Sequence, residues 1–294
     1  MGSSNVLDAL RHGPVTVPTL RSMKAAGLRF VMATAYDAVF AHILDEGGVD
    51  VILVGDSLGM VIQGHETTLP VTVEEMLYHV KAVARALEKR RLQGQGGRPL
   101  LVADMPFLSY QTDIATAIRN AGRMLAEGGA QAVKIEGGEA FAQTVARLVE
   151  VGIPVMGHIG LTPQRVHAMG GFRVQGKSSE EAERIFMDAR AIEQAGAFAI
   201  VLEGIPSSLA KRISQALSIP TIGIGAGPDC DGQVLVSHDF LGLLPGPSPR
   251  FVKRYAELYA LGVEATRRFV HEVQNGLFPA EAHSYGGPST QKEK

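Results

Sequence analysis

Short apolar runs rich in Val and Ile alternate with longer amphipathic stretches along almost the whole chain. The runs are RFVMATAYD (29–37), VDVILVGDS (49–57), RPLLVADMP (98–106), QAVKIEGGE (131–139), IPVMGHIG (153–160), AFAIVLEG (197–204), IPTIGIGAG (219–227) and QVLVSHD (233–239). Between them, VEEMLYHVKAVARALEK (73–89), DIATAIRNAGRMLAEG (113–128), EAFAQTVARLVEVG (139–152) and SEEAERIFMDARAIEQAG (179–196) place apolar residues at the spacing of a helical face and stop near Gly. Near-continuous apolar strands joined by long crossovers predict a parallel sheet covered by helices. Eight of them predict a closed (β/α)8 TIM barrel. An open doubly wound sheet is the rival, and its edge strand would be more polar.

VTVPTLRSMKAAG (15–27) reads as an extra N-terminal helix, a plug under the barrel. RLQGQGGRP (91–99) reads as a mobile surface loop, and LTPQRVHAMGGFRVQGK (161–177) as an unusually long connection after the fifth strand, where barrel enzymes often carry a lid. The tail SYGGPSTQKEK is expected to be disordered. A single barrel domain over 1–294 is expected, with an ordered core over about 15–283 and flexible ends.

Composition narrows the class. With 46% apolar and 20% charged residues the chain is globular, and a net charge of −2 implies no attraction to nucleic acid or an anionic membrane. One cysteine, Cys230, excludes an intramolecular disulfide and a multi-cysteine metal site, which points to a reducing, cytoplasmic setting. MGSSNVLDALRHG has no signal-peptide core, Val6 stands where a myristoylation signal wants Ser or Thr, and no apolar stretch has membrane-spanning length.

Polar residues recur at the C-terminal ends of the predicted strands. Asp56 ends the second, Asp104 the third, Lys134 and Glu136 the fourth, His158 the fifth and Glu203 the sixth. In a parallel barrel these ends converge on one mouth, where the chemistry sits. Lys134 and Glu136 share a face, and point into the barrel if Ile135 faces the helices. Singly, each has a plainer explanation: Asp56 and Ser57 as a helix cap, Asp104 as a turn residue, Lys134 or Glu136 as a rim ion pair. Together they are harder to dismiss, because buried carboxylates beside one lysine are costly unless paired or bound to a metal. Asp56 and Asp104, with Glu136 close by, are hard oxygen donors that suit Mg²⁺ better than Zn²⁺. Lys134 can stabilise an oxyanion, and Glu203 remains as a general base.

TIGIGAG (221–227) is consistent with a phosphate loop, with close packing or with the approach of a flat ligand, and lacks the third glycine of a dinucleotide fingerprint. Cys230 reads as a passive thiol. His65, His79, His167, His238 and His283 share no metal-site spacing.

VGDSLGMVIQGHETTLPVTVEEM, LLVADMPF, VKIEGGE, GHIGLTPQ, FRVQGK, VLEGIP and IGIGAG, in this order over about residues 15–283, closely resemble the ketopantoate hydroxymethyltransferase family. The resemblance implies a (β/α)8 barrel that transfers a hydroxymethyl group from 5,10-methylenetetrahydrofolate to 3-methyl-2-oxobutanoate, giving 2-dehydropantoate for pantothenate biosynthesis through a Mg²⁺-stabilised enolate. It implies Mg²⁺ on Asp56 and Asp104, with Glu136 reaching it directly or through water. Ser57 and Lys134 would hold the ketoacid, Glu203 would take the C3 proton, and His158 would lie close to the reacting groups. TIGIGAG and the long loop are candidates for the folate side. A cytoplasmic homodecamer is implied, for which the N-terminal helix is a plausible contact.

Three rivals stand beside this reading. A lyase of the phosphoenolpyruvate mutase and isocitrate lyase type would carry a reactive lid cysteine, and this chain offers only Cys230. A Schiff-base aldolase would use Lys134 as nucleophile. A ketoacid or folate binding protein would leave Glu203 without a task.

Overall fold

The computed structural model describes residues 10–285. The expected disordered tail lies outside the described residues from position 286, as do residues 1–9 of the N-terminal segment. The described chain falls into two compact units: one up to Ser237 together with Pro249–Val252, and one formed by His238–Ser248 and the chain from Lys253 onward.

The first unit is the barrel. All eight predicted strands form: β1 Phe30–Thr34, β2 Val51–Val54, β3 Leu100–Asp104, β4 Ala132–Glu136, β5 Val155–Gly160, β6 Ala199–Glu203, β7 Thr221–Ile224 and β8 Gly232–Leu235. Each pairs in parallel with the next, and β8 closes onto β1, so the open-sheet alternative is excluded. The four predicted helices are present as Val73–Leu92, Ile114–Ala126, Ala142–Glu150 behind a 3₁₀ turn Glu139–Phe141, and Ser179–Gln194. Thr72 with Glu75 and Ser178 with Glu181 build reciprocal capping boxes, and Asp113 caps its helix by accepting from Thr116 N. Ala38–Glu46 and Ser207–Ala216 are further helices that the sequence reading did not single out.

Val17–Ala25 is the extra N-terminal helix, capped by Thr16. Its Leu20 and Met23 join Phe30, Val51, Leu100 and Phe198 in the barrel's apolar core. Lys24 Nζ pairs with Asp231 at 2.9 Å, just before β8, which sets the helix at the N-terminal end of the strands. RLQGQGGRP is pinned rather than loose: Asp45 accepts from Gly97 N (2.7 Å) and Arg98 N (3.2 Å), and Arg90 donates to the Gln95 carbonyl (2.7 Å).

Strand alternation fixes which side chains reach the interior. Val102, Ala132, Met156 and Val201 belong to the core, so Asp104, Lys134, His158 and Glu203, each two residues further along its strand, share the inward face, and Glu136 follows Lys134. Gly157 has the opposite facing: a Cβ there would stand 2.5 Å from Ile192 of the covering helix. The register sets Asp104 beside Lys134, Glu136 beside His158, and Gly160 beside Glu203.

The second unit contains the helix Leu258–Gln274, none of whose residues is buried. Arg254 ties its turn by donating to the Gly246 carbonyl at 2.7 Å, and Phe269 meets Phe278 edge to face at 5.6 Å.

Candidate active site

The strand register produces a ladder of alternating charge across the barrel mouth. Lys134 Nζ lies 2.5 Å from Asp104 Oδ1 and 4.0 Å from Glu136 Oε1. His158 Nδ1 lies 3.3 Å from Glu136 Oε1, and its Nε2 lies 3.1 Å from Glu203 Oε2. The two histidine contacts have ion-pair distance without hydrogen-bond alignment. Asp56, Asp104, Lys134, Glu136 and His158 are all buried, whereas the Glu203 side chain keeps 17% of its surface open.

Asp56 reaches this ladder from the turn after β2, where its own N–H donates to Asp104 Oδ2 at 3.1 Å. It caps no helix: its carboxylate accepts from Gln164 Nε2 at 2.8 Å. Ser57 stands at the head of the short helix Leu58–Val61 without a side-chain cap, and its hydroxyl shares a 2.8 Å hydrogen bond with Tyr36 Oη. Gly55 is required by proximity rather than by φ, because a Cβ would stand 2.8 Å from Ser57 Oγ and 3.3 Å from Asp104 Oδ2. The cap and turn readings of Asp56, Ser57 and Asp104 therefore fail.

Burial and neighbouring charge set the protonation. Burial pushes the Asp56 carboxyl well above the usual range, and Asp104 and Glu136 push the same way. Asp104 is also raised by burial, against the opposing pull of Lys134. Burial acts upward on Glu136 too, but His158, Lys134 and the Gln164 N–H outweigh it and leave it low. For Lys134, burial disfavours the ammonium, yet Asp104, Glu136 and Asp56 hold it charged above the ordinary lysine value. A lysine so held is a poor Schiff-base nucleophile. Burial and Lys134 both disfavour charge on His158, but Glu136 and Glu203 prevail and lift it to about 9. His158 is thus a second cation in the site.

Gln164, Tyr110 and Tyr36 are site residues that sequence reasoning missed. Gln164 sits on the 3₁₀ turn Pro163–Arg165 at the start of the long loop. Its N–H donates to Glu136 Oε2 (3.0 Å), its Nε2 also donates to the Met105 carbonyl (2.9 Å), and its Oε1 accepts from Tyr110 Oη (3.0 Å) and Gln111 Nε2 (2.8 Å). One buried residue, through its side-chain amide and its own N–H, thus joins the ends of β2, β3 and β4 to the loop after β5. Tyr36 follows β1 at the same edge, so the strand-end rule applied to RFVMATAYD would have found it. Gln164 comes from a loop and gave no periodic signal.

A cleft of about 950 Å³ opens beside Glu203. The long loop gives it Leu161, Phe172 and Arg173, the glycine-rich stretch gives Gly225 and Gly227, and the returning segment gives Arg250 and Phe251. Gly225 and Gly227 have φ of +60° and +81°, which glycine adopts freely. Gly223 instead faces away from the barrel interior, opposite to Ile222, and a Cβ there would stand 3.0 Å from Gln233 and 3.1 Å from Cys230. Cys230 is buried and burial pushes its thiol up, which suits a passive residue.

The donor chemistry of Asp56, Asp104 and Glu136 fits a hard divalent cation. Asp104 Oδ1 is buried without an aligned hydrogen bond, and added positive charge would relieve the crowding that raises Asp56. As they stand the carboxylates are turned to protein partners, and among the described residues no group of three His, Cys, Asp or Glu side chains forms a ready cation site.

A family model described as ketopantoate hydroxymethyltransferase matches residues 14–281. A Pelobacter propionicus protein named 3-methyl-2-oxobutanoate hydroxymethyltransferase is 59% identical over 271 residues, covering 92% of this chain and 97% of its own length. One of the same name from Geobacter sulfurreducens is 55% identical over 270 residues, covering 92% and 98%. Among solved structures, a phosphonopyruvate hydrolase complexed with oxalate and Mg²⁺ aligns with TM-score 0.59 at 15% identity over 92% of each chain. A 2,3-dimethylmalate lyase aligns with TM-score 0.56 at 16% identity, covering 91% of this chain and 87% of its own. At such identities the two structures share the fold alone.

Proposed function

The chain belongs to the ketopantoate hydroxymethyltransferase family and is a transferase, and we propose that it moves a hydroxymethyl group from 5,10-methylenetetrahydrofolate to 3-methyl-2-oxobutanoate, forming 2-dehydropantoate. The observation that carries this reading is the charge ladder of the barrel mouth, which ends on Glu203 at the edge of an open cleft.

Asp56 and Asp104, with Glu136, would hold Mg²⁺, which when bound withdraws electrons from the ketoacid oxygens and makes the C3 hydrogen acidic. The Ser57 hydroxyl and Lys134 ammonium would hold the ketoacid, the first oriented by Tyr36 and the second by Asp104. Glu203 would take the C3 proton on a carboxylate oxygen. His158, cationic and 3.1 Å from Glu203 Oε2, fixes that carboxylate in place. Water cleaves the two C–N bonds of the folate's methylene bridge, so that tetrahydrofolate leaves and the one-carbon unit remains as formaldehyde; C3 then bonds to that carbon, and its oxygen takes up one proton to become the hydroxyl group.

The resemblance also implies a cytoplasmic decamer. The half-exposed Tyr259, Phe269 and Val273 of the helix Leu258–Gln274 offer apolar surface for such assembly. The Leu20 and Met23 face of the N-terminal helix is spent on the barrel core. Among the described residues no helix is long and apolar enough to cross a membrane.

Transfer is tested by supplying carbon-13-labelled methylenetetrahydrofolate and ketoacid and following the label by NMR. The expected result is labelled 2-dehydropantoate that stops forming when a chelator is added; no label in that product would refute the reading. Asp56→Asn and Asp104→Asn should weaken Mg²⁺ binding with the fold retained, as calorimetric titration and circular dichroism can show. Unchanged affinity in both would remove the ligand assignment.

A further inference from the structure

The cleft beside Glu203 has a composition unlike the rest of the site. The barrel mouth is crowded with carboxylates, yet the cleft lining carries two arginines, Arg173 and Arg250, from separate segments. Among the described residues neither guanidinium forms an ion pair with the protein, although twelve other Lys and Arg side chains do. Beside them stand two rings that a globular protein would ordinarily cover, Phe172 (50% exposed) and Phe251 (44% exposed). Both segments are anchored to the barrel: Gln175 N donates to the Gly204 carbonyl at 2.9 Å, and a Cβ on Gly225 would stand 3.1 Å from the Phe251 ring.

We infer that Arg173 and Arg250 bind the glutamyl carboxylates of the folate co-substrate, with Phe172 and Phe251 as apolar walls for the flat part of the same molecule. The inference rests on the folate reading given above and deepens it by assigning the tail a site. Glu203 lies at the cleft edge, so the end of the folate that carries the transferable carbon must face it. The anionic tail is thereby left toward the arginines, whose planar guanidinium groups match carboxylates in bidentate geometry. The walls suit a flat ring, because Phe172 and Phe251 both line the cleft half-exposed, and the Phe251 ring is seated against the Gly225 backbone, where a Cβ would stand 3.1 Å from it. Ring and tail are thus read by different parts of one cleft, and the number of glutamates sets the affinity.

The test is equilibrium binding to three probes that share a ring system and differ only in tail: tetrahydropteroate, tetrahydrofolate and its triglutamate. Wild type is expected to bind them in rising order. In Arg173→Gln with Arg250→Gln the rise should collapse by roughly tenfold for the triglutamate, while tetrahydropteroate binding is unchanged. Lysine at both positions should restore part of the rise, which a merely structural role would not produce, and thermal melting checks that each variant is folded. Equal affinity of wild type for all three probes, or an undiminished rise in the double glutamine variant, overturns the inference and leaves the folate reading standing. Failure of wild type to bind any of the three overturns both.

Discussion

Asp37 and Asp56 each follow the C-terminal end of a strand, and their side chains have opposite uses. Asp37 accepts from Phe40 N at 2.9 Å and starts a helix, whereas Asp56 turns to the buried Gln164 amide. Local sequence does not separate them; what does is the partner brought from a loop more than a hundred residues away. The Gln164 side chain serves the buried Asp56 carboxylate, the Met105 carbonyl and the Tyr110 hydroxyl, so Gln164→Ala takes a partner from each of them, while Glu136 keeps the backbone N–H. We expect it to cost about 1–3 kcal/mol of stability and to weaken ketoacid and metal binding together; urea denaturation and calorimetry are the measurements, and a variant of wild-type stability would count against the clasp. The lone thiol gives a simpler check. Cys230 is 1% exposed with its thiol pushed up by burial, so Ellman's reagent should find no reactive thiol in folded protein at pH 8 and one per chain after denaturation.

At the scale of elements, the barrel was legible because its strands are apolar throughout and its longer helices keep their period. The inward facing of Lys134 and Glu136 was legible conditionally, from alternation about Ile135, and the close approach of Gly157 to Ile192 shows the same alternation operating on β5. The helices Ala38–Glu46 and Ser207–Ala216 were not read from the sequence, although Val17–Ala25 and Ala142–Glu150, just as short, were, so length alone does not decide legibility. The second positive charge in the site was not legible, because the protonation of His158 depends on two carboxylates that only the register sets beside it. Gly157 gives a test of helix packing: Gly157→Ala places a methyl 2.5 Å from Ile192 Cγ2 and should cost about 1–3 kcal/mol. Adding Ile192→Val removes a methyl from the same contact, so the double variant should recover part of that loss by chemical denaturation.

For the whole molecule, a barrel whose apolar floor is sealed by an N-terminal helix can tolerate a mouth that stores buried like charges. A cation that binds only the folded mouth must then stabilise the fold: at a concentration about 100-fold above its Kd, linkage gives about 2.7 kcal/mol. Thermal melting should therefore rise with added Mg²⁺ and fall back with chelator, and Asp56→Asn should blunt the response. The central claim is that Glu203 removes the C3 proton of a metal-polarised ketoacid, and hydrogen exchange reads that step without folate. Wild-type protein with 3-methyl-2-oxobutanoate and Mg²⁺ in deuterium oxide should lose the C3 proton signal. Glu203→Gln should exchange roughly 100-fold more slowly or worse, and chelator should silence both. Exchange at the wild-type rate by Glu203→Gln, or none by wild type, would contradict the account.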